Sequence, residues 1–125
     1  MKKSRLLVVE DDGVIREALR KYFTAAGLQV DCASEIEEAE ALVATSRYDV
    51  VIADLRLSWS YEGEGLEILR FVRRHSRGTH VIILSGSASA DVERSARALG
   101  AQDFLHKPMP LPEIGAAVAR LLEVH

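Results

Sequence analysis

Groups that can act together on a phosphoryl oxygen or a hard cation stand at the ends of four apolar runs in this chain. Leu6-Leu7-Val8-Val9 leads into Glu10-Asp11-Asp12, Val50-Val51-Ile52-Ala53 into Asp54, Val81-Ile82-Ile83-Leu84 into Ser85, and Ala101 to Leu105 ends near Lys107-Pro108. Glu10, Asp11 and Asp54 offer carboxylates, Ser85 a hydroxyl and Lys107 an ammonium. If the fold gathers the carboxylates, they repel: a pair about 4 Å apart costs on the order of 4 kcal/mol at an effective dielectric near 20. Protonation relieves that cost, and so does a cation. An all-oxygen set with few protein groups suits Mg²⁺, or Mn²⁺ in its place. With a metal and Lys107 neutralising phosphoryl oxygens and Ser85 donating to one of them, Asp54 is placed to attack phosphorus and become an acyl phosphate. Each piece alone is ordinary. A strand-terminal Asp usually serves a loop or cap, an acidic run usually suits a helix start, and Lys-Pro and Ser-Gly are usually turns. Their joint placement at successive strand ends carries the reading.

Only one kind of scaffold brings such ends together. The apolar runs are continuous, as in strands buried on both faces of a parallel sheet. Between them lie helical patterns. Val14, Ile15, Ala18, Leu19, Tyr22, Phe23 and Ala26 form a stripe that Gly27 closes. A short strand, Leu28 to Ala33, precedes Ser34 and Glu37, which read as a capping box for a helix with Ile36, Ala39, Leu42 and Val43 inward. Further helices are predicted over Leu66 to His75, Ala90 to Leu99 and Leu111 to Val124. Five β-α repeats imply a flavodoxin-like α/β fold: a doubly wound parallel sheet in order 2-1-3-4-5, helices on both faces, right-handed crossovers, and ligands at the carboxyl ends near strands 1 and 3. A closed eight-fold barrel needs about twice the length.

The 125 residues fit one domain, 1–125, and 48% hydrophobic with 28% charged content is ordinary for a globular chain. The net charge of -3 argues against direct nucleic-acid binding. No signal-peptide core and no apolar run near 20 residues is found, which points to no membrane span and a cytoplasmic location. Cys32 is the single cysteine and reads as a small buried hydrophobe.

The motifs Val8-Val9-Glu10-Asp11-Asp12, Val51-Ile52-Ala53-Asp54, Ile83-Leu84-Ser85-Gly86 and Phe104-Leu105-His106-Lys107-Pro108 occur in one order. As a set, over nearly the whole chain, they resemble the receiver domain of two-component response regulators, the CheY-like superfamily. The resemblance implies that Asp54 accepts a phosphoryl group from a sensor histidine kinase or a histidine phosphotransfer protein. It implies that Asp11 and Asp54 ligate Mg²⁺ with the backbone carbonyl of Arg56, and that Glu10 acts through a metal-bound water. Ser85 and Phe104 take the family's switch positions, Lys107 its lysine, and Lys107-Pro108 its cis peptide. Phosphorylation would draw Ser85 toward the phosphate and let the Phe104 ring turn inward. An output domain or downstream protein would read the change, and a phosphorylation-dependent homodimer is compatible with it. Such a domain is not an enzyme beyond its own phosphoryl transfer and dephosphorylation.

The chain departs from the family after Asp54. The usual methionine-proline turn is missing, and Leu57 to Gly65, with Trp59 and Tyr61, makes a loop about three residues longer. Asp12 reads as a helix-start residue. Arg16, Arg20 and Lys21 lie on the first helix, the face by which the family meets its kinase. Arg70, Arg73, Arg74, His75 and Arg77 read as a solvated helix face with favourable cations at its C-terminus. Two alternatives remain. One is a degenerate receiver that only binds partners. The other is a haloacid-dehalogenase-type phosphohydrolase, which wants an Asp where this chain has Arg56.

Overall fold

A computed structural model of the chain describes residues 3–54, 64–86 and 90–123, with side chains at 64 and 65 left out. Ten elements alternate: β1 Arg5–Val9, α1 Gly13–Ala25, β2 Gln29–Ala33, α2 Ile36–Thr45, β3 Val50–Asp54, α3 Glu64–His75, β4 His80–Ser85, α4 Ala90–Ala98, β5 Asp103–His106 and α5 Leu111–Glu123. The five strands form one sheet in the order β2-β1-β3-β4-β5, every pair parallel, as the alternation predicts.

The period of two along each strand sorts the core into two layers. Leu7, Val9, Val51, Ala53, Val81 and Ile83 face α2, α3 and α4, where Ile36, Ala39, Ile68, Val72 and Ala96 meet them. Leu6, Val8, Val50, Ile52, Ile82 and Leu84 face the other way, against Leu19 and Phe23 of α1 and Ile114, Ala117 and Val118 of α5. All five residues of β3 are buried. Each buried Leu, Ile or Val contributes roughly 1.5–3 kcal/mol relative to exposure, so the central strand and its terminal Asp54 are firmly placed.

Two helix exits need left-handed backbone, and glycine supplies both: Gly27 at φ +97° and Gly100 at φ +104°. The predicted Ser34–Glu37 capping box does not form. Glu38, one residue further on, accepts from Ser34 N at 2.8 Å, so the carboxylate returns from four positions away. Cys32 is half-buried, not fully enclosed, and burial pushes its thiol up. Among the described residues no helix is long and apolar enough to cross a membrane.

Candidate functional site

β1 and β3 are neighbours, with Val9 opposite Ala53. The residues that follow therefore meet at the carboxyl rim. Glu10 is 2% exposed and Asp54 6% exposed, while Asp11 faces solvent. One carboxylate oxygen from each of Glu10, Asp11 and Asp54 lies within 4.8 Å of the others. β4 ends on the buried Ser85. The Lys107 amide donates to the Ser85 carbonyl at 2.7 Å, which carries the chain past β5 and over the same rim. From there Lys107 Nζ donates to Asp54 Oδ2 at 2.6 Å and to Glu10 Oε1 at 3.1 Å.

Electrostatics show strain of the expected kind. The Glu10 carboxyl is raised to about 7, first by burial, then by its hydrogen bond to Asp54 and the Asp54 charge, with partial relief from Lys107 and the Asp12 amide. For Lys107, burial works against the charge, but the Asp54 hydrogen bond and the two carboxylate charges outweigh it and raise its pKa. Near neutral pH Glu10 thus holds its proton far more readily than a solvated carboxyl does. The donors of this cluster are oxygens alone, the set a hard divalent cation prefers.

The turn after β1 is built around this rim. Asp12 caps α1, accepting from Val14 N at 2.9 Å and Ile15 N at 3.2 Å, so it is the helix-start residue predicted. Arg16 reaches back from the first turn of α1, and its Nη1 donates to the carbonyls of Glu10 at 2.9 Å and Asp11 at 3.3 Å.

The sequence matches the family model described as the response regulator receiver domain over residues 6–119. The chain belongs to that family. A receiver domain is a signalling domain, and the flavodoxin-like topology agrees. The transcriptional regulatory protein PmrA of Pectobacterium parmentieri is 36% identical over 94% of this chain, which spans 52% of PmrA. This chain thus covers about half the length of that relative. The non-phosphorylated HemR receiver domain of Leptospira biflexa superposes with a TM-score of 0.90 at 29% identity, covering 98% of this chain and 97% of that one. A response regulator from Burkholderia pseudomallei, solved with a phosphorylated aspartic acid, a calcium ion and citrate, gives 0.85 at 25% identity, covering 98% of this chain and 71% of that one.

In this receiver domain the structure gathers Glu10, Asp11, Asp54, Ser85 and Lys107 at one rim. Arg56 lies outside the described residues, as do Trp59, Tyr61 and most of the long loop. The Lys107-Pro108 bond is cis, as the resemblance implies. Phe104, at the family's switch position, is 3% exposed and lies in the layer under α4. The small residues around it, Ala96 and Ala101, leave room for an unhydroxylated ring with no polar tip drawn to solvent. Two arginines escaped sequence reasoning. Arg16 serves the acidic turn. Arg73, read as part of a solvated face, instead bonds the carbonyls of Thr79 and Gly100 at 2.7 and 3.0 Å. A groove of about 350 Å³ adjoins the rim, lined by Val14, Ile15, Lys107, Pro108, Met109 and Ile114 among others. Val14 is 81% exposed there.

Proposed function

We propose that this receiver domain accepts a phosphoryl group on Asp54 in a Mg²⁺-dependent reaction with a phosphohistidine donor. The observation that carries the reading is the placement of Asp54: buried at the end of the central strand, with two further carboxylates within 4.8 Å and a lysine ammonium at 2.6 Å. An Asp54 oxygen attacks phosphorus, the O–P bond forms, and the P–N bond to the donor imidazole breaks. Asp11 and Asp54, with the Arg56 carbonyl, would hold Mg²⁺, and Glu10 would act through a bound water. A bound divalent cation supplies charge neutralisation at the phosphoryl oxygens and relieves the repulsion of the acids. Lys107 holds the carboxylate before transfer and neutralises a phosphoryl oxygen afterwards. Ser85 donates its hydroxyl to another.

The donor is a sensor histidine kinase or a histidine phosphotransfer protein. The apolar groove beside Lys107, with Val14 standing out of α1, supports a helical partner docking there, since an amphipathic helix lays its apolar face into a groove of this kind. A cytoplasmic location and a downstream output domain or partner protein belong to the same reading. The chain spans about half of PmrA, consistent with further sequence beyond the receiver in such regulators.

Incubation with Mg²⁺ and acetyl phosphate, followed by intact mass, tests the proposal. A single phosphoryl adduct that decays slowly is expected in wild type, and none in a folded Asp54→Asn variant. No adduct in wild type would mean a binding module only. Multiple turnover of small phosphoesters would mean a hydrolase.

A further inference from the structure

We infer that Arg16 is a positioning residue, which holds the turn that brings two consecutive carboxylates onto one cation. The inference rests on the metal-dependent reading above. In an extended strand, successive side chains point to opposite faces. Glu10 and Asp11 nonetheless each place an oxygen within 4.8 Å of one on Asp54. The chain must leave strand geometry between them. Glu10 N still follows the ladder, donating to Ala33 O at 3.0 Å, but β1 ends at Val9. The carbonyls of Glu10 and Asp11 take the Arg16 guanidinium as donor, at 2.9 and 3.3 Å.

That arrangement closes the acidic turn from both sides. Asp12 caps α1 with its side chain, and its carbonyl accepts from Arg16 N at 2.8 Å. The Arg16 backbone is thereby fixed by the residue next to the acid pair, and its half-buried side chain returns across that pair. Both bonds come from the one nitrogen Nη1, which a planar, pre-organised guanidinium holds in place at less entropic cost than an ammonium on a flexible stem. These hydrogen bonds fall on backbone oxygens, so Arg16 acts on the cation through the placement of Asp11 relative to Glu10. Outer groups that orient metal ligands typically change affinity 10- to 100-fold when removed.

Calorimetric Mg²⁺ titration of the whole chain tests this, with thermal unfolding alongside and acetyl phosphate labelling across a range of Mg²⁺. Arg16→Met should bind Mg²⁺ about tenfold more weakly, yet reach the wild-type adduct rate once Mg²⁺ saturates. Arg16→Lys, which keeps one donor group, should fall between. The gap should persist at about 1 M salt, where the Debye length is about 3 Å. Unchanged or tighter Mg²⁺ affinity in Arg16→Met overturns the inference, since loss of a positive charge by itself favours a cation at the acidic cluster. If Arg16→Met does not fold, Arg16→Lys decides: weaker binding supports the role and wild-type affinity overturns it. A wild type that binds no Mg²⁺ overturns the metal-dependent reading itself and this role with it, a result distinct from equal affinities in wild type and variant.

Discussion

At the amino edge of the sheet, Arg5 donates its amide to Asp49 at 2.8 Å, extends its guanidinium to Asp31 at 3.3 Å and covers the Tyr48 ring at 5.1 Å. Tyr48 donates its hydroxyl to the same Asp31 oxygen at 2.7 Å, and Thr79 donates to the Tyr48 carbonyl at 2.7 Å. Lys3 and Arg47 line the cleft beside Arg5 and Asp49. At the carboxyl edge, Glu10, Asp11 and Asp54 crowd together, and Lys107 bonds two of them. The same five strands thus end in a region where carboxylates meet donors in plenty and in a region short of positive charge. At the first edge the carboxylates Asp31 and Asp49 are each met by donors, and that bonding serves stability. The second is held together by the sheet in spite of its charges, and that deficit is what a cation and a phosphoryl group can relieve.

The largest measurable consequence is a pH dependence confined to the carboxyl edge. The folded-state pKa of Glu10, about 7, lies above its ordinary 4.5. The folded state therefore binds this proton more tightly than the unfolded chain. Stability from this group is complete below the ordinary value and is lost as pH rises to about 7. A shift of this size corresponds to on the order of 3 kcal/mol. Glu10→Gln removes the titration. In metal-free urea melts, the variant should gain on wild type by about that amount between about pH 4.5 and about pH 8. A difference that stays constant with pH would mean that the carboxyl edge is as well balanced as the amino edge, and the contrast between them would fail.

Much of this arrangement is legible in the sequence. Val50–Asp54 is a strand with the bounds that its apolar run suggests, because a doubly buried strand admits no polar residue until it reaches the rim. Gly27 and Gly100 mark helix exits for the same kind of reason: their left-handed backbone disfavours a side chain. The groups at four strand ends follow from those bounds and the strand order. Other features depend on where a long side chain ends, and periodicity does not report that. Arg16 and Arg73 look like surface cations in a helical pattern, yet both turn to backbone carbonyls of loops whose shape only the fold defines. Glu38 displaced Glu37 in the cap of α2 because the chain entered the helix one residue later than the motif supposes, with Glu35 at the N-cap. The burial of Phe104 reflects packing volume beneath α4, which no local pattern encodes.

A second test asks whether the amino edge is as separate as its bonding suggests. Arg73 lies near the end of α3 and joins that edge to the α4–β5 connection. Its guanidinium donates to Thr79 O, Gly100 O and Gln102 Oε1, the last at 2.9 Å, and Gln102 Oε1 also takes Val81 N at 2.7 Å. Gly100 leaves space for it: a Cβ there would sit 2.8 Å from Arg73 Nε. Arg73→Met strips donors from half-buried carbonyls and should cost about 2 kcal/mol in urea melts. Adduct formation with acetyl phosphate should be unchanged in the folded variant. Loss of the adduct in folded protein would show that strain at the amino edge reaches Asp54 through β4.

The smallest expected effect sharpens the contrast most, because it removes one oxygen and no charge. Burial, and then the bond to Asp31, push the Tyr48 hydroxyl well above its ordinary pKa, so it is a donor throughout the working pH range. Tyr48→Phe keeps the ring under Arg5 and deletes that donor. Asp31 retains Arg5 at 3.3 Å, and its side chain is 36% exposed, so water takes the vacated position. The cost should be about 1.5 kcal/mol, at the low end for a lost hydrogen bond to a charged group, and it should not vary between about pH 6 and about pH 9 since no nearby proton is released. Mg²⁺ affinity and adduct yield should match wild type, because Tyr48 precedes β3 while Asp54 ends it, with four buried residues between them that the ladder pins on both sides. A Tyr48→Phe variant that is stable but labels poorly would make β3 a conductor between the edges, and the charge deficit at Asp54 would then depend on how its far end is held.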